Sequence, residues 1–379
     1  MKILGTLALA LILVACGGGS SSSSSGGSTG TSTGTGGSSG GNNNPSPPLT
    51  DQERTQAADS TVSSDPACTS LTPFYWEIGD KGGALASGTG GDKSSAPPSS
   101  TSLMAIASAS KWVFSSYALE TLDVSASNPL TATQAQYLNF TSGYVNMTDA
   151  SCFATDSVGG CFSASNLLGG TNGDQTTADE GHFYYNGGHM QAMAMNVFSL
   201  SGDYINGSGK TPLLNTVIMA GIGNGVNLYY ANPSLAGGIA TTAGDYASFL
   251  RAILAGSLRM KAYLSADVVC AHANSSDCPT AIYSPINQSA PGMSNNVSDE
   301  AWHYSLGHWI EDDPKVGDGA FSSPGADGFY PWIDSTATYY GLLARYDNDS
   351  SAPPGQEPYV LSVYCGRAIR KAWLTGVAQ

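Results

Sequence analysis

The sequence predicts an α+β fold: an antiparallel sheet assembled from both ends of the globular region and flanked by helices, with a mostly helical region inserted between. Three observations carry this. Short β-rich runs occur at residues 74–88 and again at 329–344, and helical apolar patterns lie between them. A proline-initiated segment with helical periodicity runs from Pro358 to about Leu374 near the end of the chain. Cysteines near the two ends of the globular region, Cys68 and Cys365, are placed to hold those ends together.

Taken in order, Met1 to Ala15 has one cation, Lys2, then an apolar run and a small residue before Cys16. That is the pattern of a signal peptide, too short to remain as a spanning helix. Leu13-Val14-Ala15-Cys16 resembles the bacterial lipobox, which implies a lipidated Cys16 as mature N-terminus; by the same resemblance, Gly17 favours the outer membrane in a cell that has one. Residues 17–50 hold no charged side chain and consist almost wholly of Gly, Ser, Thr, Asn and Pro. Such a stretch buries no core and predicts a tether with an end-to-end distance of roughly 30 Å. The expected organisation is therefore a signal peptide over 1–15, a lipidated cysteine and linker over 16–58, and one globular domain over 59–379.

Within that domain, Phe74 to Ile78, the turn Gly79-Asp80-Lys81-Gly82-Gly83 and Ala84 to Gly88 predict a hairpin. A helix follows from Ser108 towards Leu122, with Trp112, Val113, Tyr117 and Leu119 as its apolar surface and no internal proline. A short helix suits 131–138, while 139–180 is polar and glycine-rich. Asn186 to Ser199 predicts a buried helix, and Thr241 to Leu258 another, with Asp245 in its first turn. Strands return over 316–345, as Phe329 to Ile333 and Thr338 to Ala344, ahead of the last helix.

The formal charge is −15 with only 14 Lys plus Arg, which leaves no basic footprint for nucleic acid. With Cys16 assigned to lipid, six of the seven cysteines remain, an even number that suits disulfides in an exported chain. Six cysteines allow 15 connectivities. Proximity suggests Cys152 with Cys161 and Cys270 with Cys278, which leaves Cys68 with Cys365. Close Cys-x-x-Cys or His-x-x-x-His spacing is lacking, so no metal is expected, nor any cofactor. Gly207-Ser208-Gly209-Lys210-Thr211 fails the phosphate-loop spacing because Tyr204 stands where glycine is needed. Gly-x-Ser-x-Gly occurs only inside the Gly/Ser-rich stretch, from Gly26, Gly30 and Gly36, where no strand-to-helix elbow is expected, and His-Glu-x-x-His does not occur.

The chemistry centres on Ser108-Ala109-Ser110-Lys111. Residues three apart share a helix face, so Lys111 would lie beside the Ser108 hydroxyl at the start of a helix, where the dipole favours developing negative charge. Two further stretches follow in order: Tyr184-Tyr185-Asn186 ahead of a helix, and Ser323-Pro324-Gly325-Ala326 entering a strand. With Leu138-Asn139-Phe140-Thr141-Ser142-Gly143 and the segment Asn232 to Tyr246, this order resembles the serine β-lactamase and penicillin-binding protein superfamily, most closely its class C β-lactamase and esterase branch. The similarity covers about residues 70–375.

The resemblance implies acyl transfer. Ser108 would be the nucleophile and Lys111 or Tyr184 the base, with Tyr185 the alternative tyrosine if the register shifts by one. Asn186 would hold the substrate amide or the lysine. Ser323 and Gly325 would border the substrate, and the backbone amides of Ser108 and Ala326 would form the oxyanion hole. The branch has Lys-Thr-Gly where this chain has Ser323-Pro324-Gly325, so a cation that helps bind a substrate carboxylate is missing. His303 and His308 could supply a polar contact there, although histidines set among tryptophans usually pack. The expected protein is a monomeric, lipid-anchored, extracytoplasmic hydrolase of a small ester or amide. A non-catalytic cell-wall or ligand-binding protein of the same fold and a true class C-like β-lactamase are the alternatives.

Overall fold

A computed structural model describes residues 48–202, 213–223, 228–273, 275–286, 300–349, 351–353 and 355–379. Cys16, the expected signal peptide and most of the expected linker lie outside these residues, as does the 207–210 stretch.

Folded chain begins earlier than residue 59. Helix α1 (Asp51–Ser64) starts at a capping box in which Thr50 and Glu53 satisfy each other's backbone amides. Its buried stripe is only Ala57, Ala58, Thr61 and Val62, too weak a hydrophobic pattern to announce a helix, so the expected linker boundary falls inside it. It packs on the terminal helix, where Arg54 donates to the Trp373 carbonyl at 2.7 Å. The short α2 (Pro66–Thr69) follows, then the hairpin β1 (Phe74–Asp80) and β2 (Gly83–Gly90).

The strand β3 (Leu103–Ala105) leads through a 3₁₀ turn, Ala107–Ala109, into α3 (Ser110–Thr121). Every residue of α3 from Ser110 to Leu119 is buried, so this helix runs through the interior and has no solvent face for most of its length. Three helices, α4 (Ala132–Leu138), α5 (Asp149–Cys152) and α6 (Val158–Ser163), precede β4 (Phe183–Tyr184). Then come α7 (Gly188–Asn196), α8 (Leu213–Ile222), β5 (Tyr229–Tyr230) and β6 (Ile239–Thr242). Helix α9 (Ala243–Ala255) is capped at one end by the Thr242 side chain and closed by Gly256 at φ 73°. The remaining strands are β7 (Val269–Cys270), β8 (Ala281–Tyr283), β9 (His303–Tyr304), β10 (Trp309–Glu311), β11 (Ala320–Ser322), β12 (Tyr330–Ile333) and β13 (Tyr340–Ala344). The helix α10 (Pro358–Thr375) ends the succession.

Eight strands form one antiparallel sheet in the order β2-β1-β13-β12-β11-β10-β9-β7. The two ends of the domain meet at its heart, with Trp76 opposite Leu343 and Ile78 opposite Gly341. Helices α1 and α10 cover one face and α9 the other, which is why β1 and β13 are apolar almost without alternation. A smaller sheet, β3-β6-β5, supports the entry to α3, and β4 pairs with β8 in parallel.

Two buried charge clusters tie the helices to the sheet. The Glu77 carboxylate accepts from the Tyr75 and Tyr340 hydroxyls at 2.7 and 2.6 Å. Beneath α10, Arg370 pairs with Glu311 at 2.8 Å and with Asp318 at 2.7 Å. Each buried charge therefore keeps a partner, without which its desolvation would cost several kcal/mol, on the order of the penalty per buried ion.

Three disulfides join Cys68 to Cys365, Cys152 to Cys161, and Cys270 to Cys278. The first closes a loop with a sequence separation of 297, against 9 and 8 for the others. Because the stabilisation grows with loop length, replacing Cys68 and Cys365 by alanine should lower the unfolding free energy by about 2–5 kcal/mol. Urea denaturation will read this as a lowered midpoint, and opening either short loop should shift that midpoint less.

Candidate active site

The chain reaches Ser108 from the small sheet. Ile106 donates to the Ile239 carbonyl at 3.1 Å, and the backbone then turns sharply, with Ala107 at φ 42°, a left-handed conformation that a Cβ disfavours. Ser110 braces the turn: its hydroxyl donates to the Ala107 carbonyl at 2.6 Å and accepts from the Ile239 amide at 3.1 Å. Tyr246 donates to the Ala109 carbonyl at 2.9 Å, and Ser323 to the Ser108 carbonyl at 3.2 Å.

Lys111 stands one helical turn on, only 4% exposed. Its Nζ lies 2.9 Å from the Ser108 Oγ and 2.9 Å from the Ala236 carbonyl, and 4.8 Å from the centroid of the Tyr185 ring. The ammonium thus has two hydrogen-bond acceptors and an aromatic face, which together replace its water. Ala236 carries no side-chain signature of this role; the only sequence signal is its place in the segment 232–246.

Strand alternation decides which tyrosine joins them. Phe183 and Tyr185 point to one side, where they meet Tyr304 and Trp309; Tyr184 points to the other and packs on Tyr283 at 5.2 Å. The residue over Lys111 is therefore Tyr185, one position on from the expected Tyr184. Burial, with Asp179 nearby, also pushes the Tyr184 hydroxyl above its ordinary range, opposite to what a phenolate base needs.

Asn186 is likewise placed elsewhere than expected. Its Oδ1 accepts from the Gly188 amide at 2.8 Å and its Nδ2 donates to the Met147 carbonyl at 3.1 Å, so the amide braces the start of α7 and does not hold the lysine. Sequence reasoning passed over His189, which is fully buried. Its ring lies flat on Phe140 at 5.0 Å, with Nδ1 2.7 Å from the Ser142 hydroxyl and Nε2 2.9 Å from the Tyr184 carbonyl. Burial pushes its pKa down to about 3, so this link between the 138–143 segment and β4 stays uncharged.

The strand-entry motif closes the other side. Gly325 is held to the Phe329 carbonyl at 2.7 Å, and a Cβ on it would stand 2.2 Å from the Ile106 carbonyl oxygen, so only glycine fits against the nucleophile turn. Pro324 and Ala326 face Ser108, Tyr185, Trp309 and Tyr359 across a cavity of about 90 Å³. No lysine or arginine lines that cavity among the described residues. Among the described residues, no backbone acceptor outside the 3₁₀ turn is bonded to the Ser108 or Ala326 amide.

The two histidines stand apart from this cavity. His308 is buried, stacked on Trp112 at 5.1 Å, and burial pushes its pKa down to about 4. His303 pairs with Asp312 at 2.8 Å, which raises its pKa. His308 packs, as its tryptophan neighbour suggests, whereas His303 lies partly exposed and is held by Asp312.

The tyrosine register is open to a direct check. Tyr185→Ala should slow fluorophosphonate labelling of Ser108 by about 100-fold or more, the lower end of a proton-transfer contribution. Tyr184→Phe should stay within about twofold, as expected of a change of ±0.5 kcal/mol away from the reacting groups. Equal losses in the two variants would return Tyr184 to the site.

No family model matches the sequence, and no curated protein matches it. Solved structures do. A candidate β-lactamase from Bacteroides dorei aligns over 81% of this chain and 95% of its own, with 20% identity and a TM-score of 0.52. A D-stereospecific amidohydrolase from Streptomyces sp. aligns over 87% of this chain and 100% of its own, with 12% identity and a TM-score of 0.50. The antiparallel sheet and its flanking helices thus have the β-lactamase-like fold that these structures share.

Proposed function

We propose that this chain is an extracytoplasmic serine hydrolase of the class C β-lactamase and esterase branch, cleaving a small ester or amide through an acyl-enzyme on Ser108. The observation that carries the reading is the 2.9 Å contact between Lys111 Nζ and Ser108 Oγ at the edge of a cavity that Ser108 and Ala326 line. In acylation Lys111 first gives up one proton of its ammonium to solvent; the Ser108 oxygen then attacks the substrate carbonyl carbon and its proton passes to the lysine amine across the same short separation. Tyr185, lying on the lysine, takes the place expected of Tyr184 in this relay. The amides of Ser108 and Ala326 receive the developing oxyanion, and the proton is returned to the leaving alcohol or amine. Water then attacks the acyl-enzyme by the reverse transfers and releases the acid.

The cavity walls favour an uncharged acyl group. Trp309, Pro324, Ala326 and Tyr359 offer apolar surface, and Ser323 uses its hydroxyl on the Ser108 carbonyl instead of on a substrate carboxylate. A β-lactam, which brings a carboxylate, finds no cation among the described walls, and this supports an esterase over a β-lactamase. The leader, with Cys16 as its lipid-bearing residue, supports attachment to a membrane by that anchor alone.

Ser108→Ala should abolish both fluorophosphonate labelling and turnover of p-nitrophenyl butyrate, and Lys111→Ala should slow acylation by about 10²–10⁴-fold. Absence of labelling in the unaltered protein would favour a non-catalytic binding protein. Nitrocefin turnover lost in Ser108→Ala would favour a true β-lactamase.

For the anchor, Cys16→Ala should end incorporation of labelled palmitate and release the protein from the membrane fraction. Unchanged membrane retention would refute lipidation at Cys16.

A further inference from the structure

We infer that Tyr359, with Ile286, is the partition that sets the length of acyl group the Ser108 cavity accepts, an inference that rests on the hydrolase reading above. Behind the Ser108 cavity lies a second pocket of about 10 Å³, floored by Trp302, Val360 and Val363. Among the described residues, the two share Ile286 and Tyr359. A volume of about 10–15 Å³ holds one water, whereas a dry cavity of about 150 Å³ takes up benzene. At about 90 Å³ the first cavity is smaller than that, and the second adds nothing while the partition stands.

The partition is built to stay in place. The Tyr359 hydroxyl donates to the Pro285 carbonyl at 2.6 Å, which fixes the ring to the segment that carries Ile286. Pro358 sets the first turn of α10, and Arg345 donates to its carbonyl at 2.7 Å. Burial raises the Tyr359 pKa, so the hydroxyl keeps the proton it donates. With that proton committed to Pro285, Tyr359 presents its ring to the cavity and acts on fit, not on proton transfer. The surface behind it is chemically ready for a hydrocarbon chain. Trp302, Val360 and Val363 are apolar, and Glu300 is held by Arg367 at 2.7 Å and by the Trp302 indole at 2.8 Å.

The test is the chain-length profile of p-nitrophenyl esters from acetate to octanoate in the unaltered protein, Tyr359→Ala, Ile286→Ala and Tyr359→Phe, alongside benzene binding followed by NMR. The unaltered protein should prefer short chains. Tyr359→Ala and Ile286→Ala should raise kcat/KM for hexanoate relative to butyrate by about tenfold or more, since a single methylene in an apolar pocket is worth about that much. Tyr359→Phe keeps the ring and should keep the profile. Tyr359→Ala should also bind benzene, which the unaltered protein excludes. Unchanged hexanoate-to-butyrate ratios in the two alanine variants, or no benzene binding in Tyr359→Ala, would overturn the partition. Benzene uptake by Tyr359→Ala in a protein that turns over no ester would instead support the partition and count against the hydrolase reading.

Discussion

A lysine ammonium placed almost wholly out of water has to find its hydrogen bonds inside the protein, and that requirement at Lys111 organises the site. Leaving such a charge unpaired would cost several kcal/mol, the scale of the desolvation penalty for one buried ion. The acceptors come from three separate parts of the chain: the Ser108 hydroxyl in the turn before α3, the Ala236 carbonyl between β5 and β6, and the Tyr185 ring just after β4. Each of these parts is pinned by its own contacts. Ser110 bonds to the Ile239 amide, Gln191 joins α7 to the 233–235 segment through the Pro233 carbonyl and the Leu235 amide, and Tyr185 donates its amide to Tyr283. Satisfying one cation therefore fixes the relative positions of the nucleophile, the small sheet and the tyrosine.

What was readable in advance follows from which side chains have a periodic consequence. Ser108 and Lys111 could be paired because i and i+3 meet on any helix, and the sheet could be assembled from the termini because β1 and β13 are apolar runs bounded by turns. The tyrosine could not be fixed in the same way. β4 is only two residues long, and a one-residue slip in register exchanges the faces of Tyr184 and Tyr185. Ala236 acts through its backbone, and Asn186 was drawn off by the start of a helix whose position the sequence places only to within a few residues. Helix α1 has no strong hydrophobic pattern, because its buried face is only Ala57, Ala58, Thr61 and Val62.

The strand-entry motif changes meaning when its neighbours are included. In place of a long cation, Ser323 has a short hydroxyl that reaches the carbonyl of Ser108, and its own amide is held by the Pro331 carbonyl at 3.2 Å. Gly325 presses on the Ile106 carbonyl on the other side of the same turn, so residues 323 and 325 together clamp the backbone on which the nucleophile rides. Pro324, between them, turns an apolar ring into the cavity. The segment thus supports the nucleophile without adding charge to the cavity. If substrate recognition has no cation to draw on, it must rest on polar groups at Ser108 and on the fit of an apolar group between Trp309, Pro324 and Tyr359. Selectivity then depends on the volume those rings enclose, because apolar contact distinguishes substrates by size while a charged clamp distinguishes them by headgroup.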